Sequence, residues 1–219
     1  MSAHIFLVAA EPSGDALGAD LADALRAAAP DVRLSAIGGE QLRARGFSHD
    51  VDMTGLAVIG LVEGLKAFGR VRTAVDEAAA AIAKADPDSV VLIDSWGFMW
   101  RLARALKRRG VRAKRIKLIG PQVWATRPGR ARVLARWVDH LLCIHAFEQP
   151  FYERWGLPTT VIGNPAIGRL KPGDGVAFRV RHGLTTDAQV LGVLPGSRSG
   201  EIRRVAPDLF EAARQLKVE

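Results

Sequence analysis

Four groups of residues in this chain have the types and spacing for chemistry. Asp94 closes the apolar run Ser89-Val90-Val91-Leu92-Ile93 and is followed by Ser95-Trp96-Gly97-Phe98, so a carboxylate stands where a buried strand gives way to a helix. Ligands of open α/β sheets gather at that end of a strand, and a carboxylate there can accept a proton from an attacking hydroxyl. Capping of the following helix is the competing use of Asp-Ser at such a place. Glu11, Ser13, Gly14 and Asp15 follow a second apolar run, Ile5 to Ala9, and bring two carboxylates and a hydroxyl to the mouth of that strand. Asp15 can alternatively favour the helix N-terminus electrostatically. Gln122, Trp124 and Arg127 follow a third strand and combine amide, aromatic and cation, a set suited to sugar stacking and phosphate pairing, although a large aromatic is often buried for packing alone. Gly196, Ser197 and Arg198 follow the run Val190 to Leu194. Two strands thus empty into small-residue turns before helices, where free backbone N–H groups and the helix dipole favour anions. Ordinary strand–helix connections look similar, and the three spaced glycines of the dinucleotide fingerprint are absent.

The elements that must hold these groups alternate along the chain. Short apolar runs predict strands at Ile5 to Ala9, Arg33 to Ile37, Ser89 to Ile93, Arg115 to Ile119, His140 to Ile144, Thr159 to Ile162 and Val190 to Leu194. Helical periodicity predicts helices at Ala16 to Ala28, Val71 to Ala83, Phe98 to Arg109, Ala131 to Trp137, Pro150 to Trp155 and Glu201 to Leu216, with Gly110 as a C-cap. Strand–helix alternation implies an α/β fold, a Rossmann-like parallel sheet with helices on both faces. The alternation stops near Asn164-Pro165, and Lys171-Pro172-Gly173-Asp174-Gly175 reads as a polar, helix-poor linker. The expected organisation is a first domain over 1–165, a linker and the start of a second domain over 166–188, and one strand-turn-helix of an incomplete second domain over 189–219. The chain is expected to stop partway into that domain.

The 219 residues carry a net charge of +8, and no acidic residue falls between Asp94 and Asp139, where thirteen Lys and Arg residues lie, Arg101, Arg104, Lys107, Arg108, Lys117, Arg127 and Arg130 among them. Such a belt suits a phosphorylated substrate or an anionic lipid surface, and a solvated helix exterior is the plain alternative. Nucleic acid is the least supported partner, since no recognition-module pattern accompanies the charge. The single Cys143 excludes an intrachain disulfide and a cysteine-rich metal cage, and the five histidines have no metal-ligand spacing. Met53 to Val62 is unusually apolar but far too short to cross a bilayer. No secretory signal is legible, so the expected location is the cytosol.

Glu11-Pro12-Ser13-Gly14-Asp15 with Leu17-Gly18, Gly38-Gly39, Met53 through Glu63, Ile93-Asp94, Pro121-Gln122-Val123-Trp124-Ala125 with Arg127, Phe147-Glu148, Phe151-Tyr152, Ile162-Gly163 and Leu194 through Arg198 together resemble the lipid-A-disaccharide synthases. The resemblance runs through essentially the whole chain. It implies a GT-B glycosyltransferase with two Rossmann-like domains. The implied reaction joins UDP-2,3-diacylglucosamine to 2,3-diacylglucosamine 1-phosphate (lipid X), making the β-1,6 disaccharide of lipid A and releasing UDP, without metal or other cofactor. On that resemblance Asp94 is the expected general base. Glu11, Ser13, Gly14, Asp15, Gln122, Trp124 and Arg127 are expected to bind substrate, and Gly196, Ser197 and Arg198 to face the UDP phosphates. Leu56, Val58, Ile59, Leu61 and Val62 are expected to meet acyl chains and membrane, with Lys66, Arg70 and Arg72 near anionic headgroups, at the inner face of the inner membrane of a Gram-negative bacterium. The chain departs from the family at Ser95, at Met99 where relatives carry asparagine, at Thr126 where an aromatic is usual, and at Asn164 where histidine is common. These 219 residues alone are expected to turn over poorly. The alternatives are a noncatalytic nucleotide-sugar or lipid-binding fragment and another GT-B transferase with a lipid-linked acceptor.

Overall fold

A computed structural model describes residues 2–48, 51, 64–196 and 199–216, for 64–68 the backbone alone. Leu56, Val58, Ile59, Leu61 and Val62, and likewise Ser197 and Arg198, lie outside the described residues. The chain divides into two compact units, Met1–Arg169 and Leu170–Glu219.

Among its described residues the first unit holds six strands, β1 (His4–Ala9), β2 (Arg33–Ile37), β3 (Ser89–Ile93), β4 (Lys114–Leu118), β5 (His140–Cys143) and β6 (Thr159–Val161). Its helices are α1 (Pro12–Ala28), α2 (Glu40–Arg43), α3 (Gly64–Ala85), α4 (Trp96–Arg108), α5 (Gly129–Trp137) and α6 (Gln149–Glu153). All strands pair in parallel in the order β2-β1-β3-β4-β5-β6. Parallel strands covered on both faces read as continuous apolar runs, and β1 illustrates why. Leu7 and Ala9 meet Ala19 and Ala22 of α1 with Leu42 on one face, while Phe6 and Val8 join Val75, Ala78 and Ile82 of α3 and Met99, Leu102 and Leu106 of α4 on the other. The small alanines of α3 let α4 lie close beside it.

Strand order reverses between β1 and β3. The connection leaving β1 runs one way, to β2, and the chain then returns across β1 to β3. At such a switch point the carboxyl ends of the two strands diverge and leave a crevice.

Six of the seven predicted strands and all the predicted helices form, most with small shifts at their ends; α3 begins seven residues earlier than predicted. β4 stops at Leu118 because Ile119 turns into the left-handed region, at φ 62°. α1 begins at Pro12, whose fixed φ suits a first helical turn, so Ser13, Gly14 and Asp15 are helical rather than part of a loop. Gly110 follows α4 at φ 73°, the left-handed geometry expected after a helix.

The second unit differs from expectation in two places. Val190 to Leu194 forms no strand, and Leu194 is 85% exposed. An isolated apolar run has no ladder to join, and no partner strand exists among the described residues of 170–216. In place of a helix-poor linker, Asp174 caps a helix, α7 (Gly175–Arg181), by accepting the Ala177 amide at 2.9 Å. Gly196, at φ 104°, precedes the long α8 (Ser199–Gln215).

Candidate active site

Two of the predicted groups meet at the β1/β3 switch point. Ser13, in the first turn of α1, donates its hydroxyl to Asp94 Oδ2 at 3.0 Å across the crevice. Ser13 is exposed and Asp94 half-buried, so the carboxylate is held in place yet open to a ligand. Gly14 lies beneath it, close enough that a Cβ there would meet Ile93 O at 3.4 Å and Asp94 Cβ at 3.6 Å. Glu11, half-buried, caps the backbone start of α1 with no side-chain cap bond.

Asp94 is not the cap of α4. That position falls to Ser95, which also makes no side-chain cap bond. Both residues have positive φ, 50° and 35°. Non-glycine residues in this region are held by surrounding structure and concentrate at functional sites, and Ile119 and Arg127 add two more on the connections leaving β4.

Asp15 does something other than expected. It is 5% exposed, and its two oxygens accept the amides of Gly39 (2.8 Å), Gln41 (2.8 Å) and Leu42 (3.3 Å). The carboxylate therefore ties the turn after β2 and the start of α2 to α1, and it faces no solvent. Gly39 is required for this contact, since a Cβ would lie 2.7 Å from Asp15 Oδ2. Gly38-Gly39, quoted as part of the family resemblance, thus has a local cause.

Gln122, Trp124 and Arg127 occupy the exposed loop between β4 and α5. The loop is pinned from inside. Val123 enters the core, and the buried Tyr152 donates its hydroxyl to Pro121 O at 2.5 Å over Gly120, where a Cβ would lie 2.5 Å from the Tyr152 oxygen. Burial pushes that hydroxyl well above the ordinary tyrosine range, which keeps it a donor. Trp124 is 44% exposed rather than spent on packing. It meets Phe147 edge-on at 5.3 Å, and His145 stacks on Phe147 at 5.2 Å. Phe147 and His145 follow β5, so they join the same sheet edge; an exposed aromatic just past a strand was the available signal.

Lys117 is the residue most misplaced by sequence reading, which counted it in the anion-seeking belt. It is 1% exposed, and its Nζ donates to Leu92 O (3.2 Å), Asp94 O (2.6 Å) and Leu118 O (3.0 Å). Its place among apolar strand residues, beside Leu92 in register, was the clue. Burial pulls its ammonium down to about 7 from 10.5, against the opposing pull of the Asp94 and Glu11 carboxylates. Between those values the unfolded chain keeps a proton that the folded chain has released, so this group's contribution to stability rises with pH through the window. Urea unfolding at a series of pH values should show the stability of wild type gaining on that of Lys117→Met by roughly 2–4 kcal/mol from pH 7 to pH 10. A difference that stays flat across the window contradicts this.

The belt is otherwise divided between structure and surface. Arg115 forms a two-pronged pair with Asp139 at 2.8 and 3.0 Å. Between α3 and α4 a cavity of about 530 Å³ is lined by Val71, Val75, Trp100, Arg101, Arg104 and Arg108, among others. Arg104 Nε is buried there with no hydrogen-bond partner. Among the described residues no helix is long and apolar enough to cross a membrane.

A family model described as lipid-A-disaccharide synthetase matches residues 5–219. Lipid-A-disaccharide synthases from Rhodospirillum centenum, Paramagnetospirillum magneticum and Myxococcus xanthus are 43%, 44% and 41% identical over 93%, 97% and 99% of this chain. Those matches cover 51%, 55% and 56% of the relatives, so the chain spans about half the length of the curated relatives it matches. Among solved structures, a UDP-N-acetylglucosamine 2-epimerase from Rickettsia bellii is similar at a TM-score of 0.50 and 15% identity, over 84% of this chain and 52% of that one. A Listeria monocytogenes protein assigned to the same epimerases gives 0.52 and 17%, over 76% and 46%. At these identities the likeness is one of fold.

Proposed function

Since this chain belongs to the lipid-A-disaccharide synthase family, we propose that its β1/β3 crevice is the acceptor side of a glycosyltransferase that joins UDP-2,3-diacylglucosamine to lipid X and releases UDP. The observation that carries this reading is the Ser13–Asp94 contact at the strand switch point, a half-open carboxylate oriented by a hydroxyl. Asp94 takes the proton of the acceptor 6-hydroxyl as that oxygen attacks the anomeric carbon, while the diphosphate departs with the bonding pair. Glu11 and Ser13 bind hydroxyls of the acceptor sugar, Trp124 offers a ring face, and Gln122 and Arg127 meet sugar or phosphate oxygens. Gly14 leaves room beside Asp94, and Asp15 acts from behind by fixing α1 against α2. Gly196, Ser197 and Arg198 are proposed to meet the UDP phosphates. No metal or other cofactor is part of this proposal.

The assay uses a chain of the relatives' length with these residues as its first half, supplied with both substrates. Formation of the disaccharide 1-phosphate with one UDP per product supports the reading; unconsumed lipid X refutes it.

Acylated substrates place the enzyme at an anionic membrane surface, the inner face of the inner membrane. The α3/α4 cavity supports this, because arginine heads around valine and tryptophan suit phosphate above acyl chain. Leu56, Val58, Ile59, Leu61 and Val62 are proposed to add apolar contact. The expected result is flotation with vesicles rich in anionic lipid, weakened by salt and reduced at least about fivefold by Arg104→Glu with Arg108→Glu, each basic residue near a surface being worth about 1 kcal/mol. Equal flotation of the folded double variant would remove the cavity from the proposal.

A further inference from the structure

We propose that Lys117 is the positioning residue of the candidate base, its interior Nζ holding the Asp94 peptide in the left-handed turn that aims the carboxylate at Ser13. The proposal rests on the reading of Asp94 as base, but its geometry stands apart from that reading.

Two consecutive non-glycine residues with positive φ, Asp94 and Ser95, persist only where their surroundings over-determine them. The local sequence does not provide that restraint, since Ser95 makes no side-chain cap bond. Lys117 does. Its shortest contact, 2.6 Å, is to Asp94 O, the carbonyl inside the turn. The other two carbonyls, Leu92 O and Leu118 O, belong to adjacent strands, so one nitrogen ties the turn to the ends of both β3 and β4. Three acceptors match the three N–H donors of the charged form, present below about pH 7, and the amine above that pH keeps two, so neither form has a donor to spare for a ligand. Packing does not account for a lysine here. A methionine would fill the same space without the cost of burying a charge. The nearby acidic groups are the carboxylates of Asp94, at the end of β3, and of Glu11, after β1; both favour the charged form against burial. Lys117 therefore acts on the crevice through the backbone of Asp94 and touches no substrate.

The test is a crystal structure of the 219-residue chain carrying Lys117→Met. The expected result is loss of positive φ at Asp94 and of the Ser13–Asp94 hydrogen bond, with the six-stranded sheet intact. A turn and a hydrogen bond unchanged from wild type would overturn the proposal. Lys117→Gln, which keeps two N–H donors, takes the same test if the methionine variant does not fold. In the transferase assay kcat falls about a hundredfold, as for a reacting group displaced by about an ångström, with KM within about twofold. Ser13→Ala, expected to lower kcat in wild type, is expected to have no further effect in the Lys117→Met background; additive losses mean a role in general stability only and overturn the proposal. Full activity of Asp94→Asn beside a collapsed turn in Lys117→Met would remove Asp94 as the base and leave the positioning role standing.

Discussion

Asp94→Asn lowers kcat for disaccharide formation by about 10²–10⁴-fold while KM for lipid X changes little. Asparagine has the shape of aspartate and can still accept the Ser13 hydroxyl, so the crevice keeps its form and loses only the group that takes a proton. The size of the effect follows from the step itself, since a sugar hydroxyl is a poor nucleophile until its proton is removed in the transition state. Measurement of kcat and KM under saturating donor decides between roles. A loss confined to KM would make Asp94 a binding residue, and activity near wild type would remove it from the chemistry.

The second large effect is on stability, at a residue that sequence reading placed with substrate. Asp15→Ala should destabilise the folded chain by about 3–5 kcal/mol, because three backbone amides at the start of α2 lose a buried, charged acceptor and α1 loses its tie to the β2 turn. Asp15→Asn, which offers one oxygen in place of two, should cost less. Urea unfolding followed by circular dichroism measures both. A change below about 1 kcal/mol for the alanine variant would mean that water replaces the carboxylate without loss, and would return Asp15 to the list of groups free to bind a ligand.

The contrast between Asp94 and Asp15 shows what was legible in the sequence. Both follow apolar strands and both precede helices, so strand position alone ranked them together. What separates them is the third dimension: Gly38 and Gly39 form the turn after β2, and only the parallel pairing of β1 with β2 brings that turn beneath α1. The sheet itself was legible because strands buried on two faces cannot hide their apolar runs, and β2 and β3 have the predicted ends. Val190 to Leu194 has the same apolar character and forms no strand, since a run becomes a strand only beside another. Lys117 was hidden by composition. Counted among thirteen cations it looked like surface, whereas its strand register beside Leu92 turns it inward. The aromatic group of Trp124, Phe147 and His145 was half visible, because residues from two different strand ends meet only when β4 and β5 pair.

In the proposed complex an acceptor hydroxyl lies against Asp94 in the β1/β3 crevice. A crystal structure of the chain with lipid X bound shows whether it does. The 6-hydroxyl oxygen is expected about 2.6–3.2 Å from the Asp94 carboxylate, with Ser13 still donating to that group. Lipid X ordered elsewhere on the fold, with its 6-hydroxyl beyond the reach of Asp94 even through one water, would contradict it.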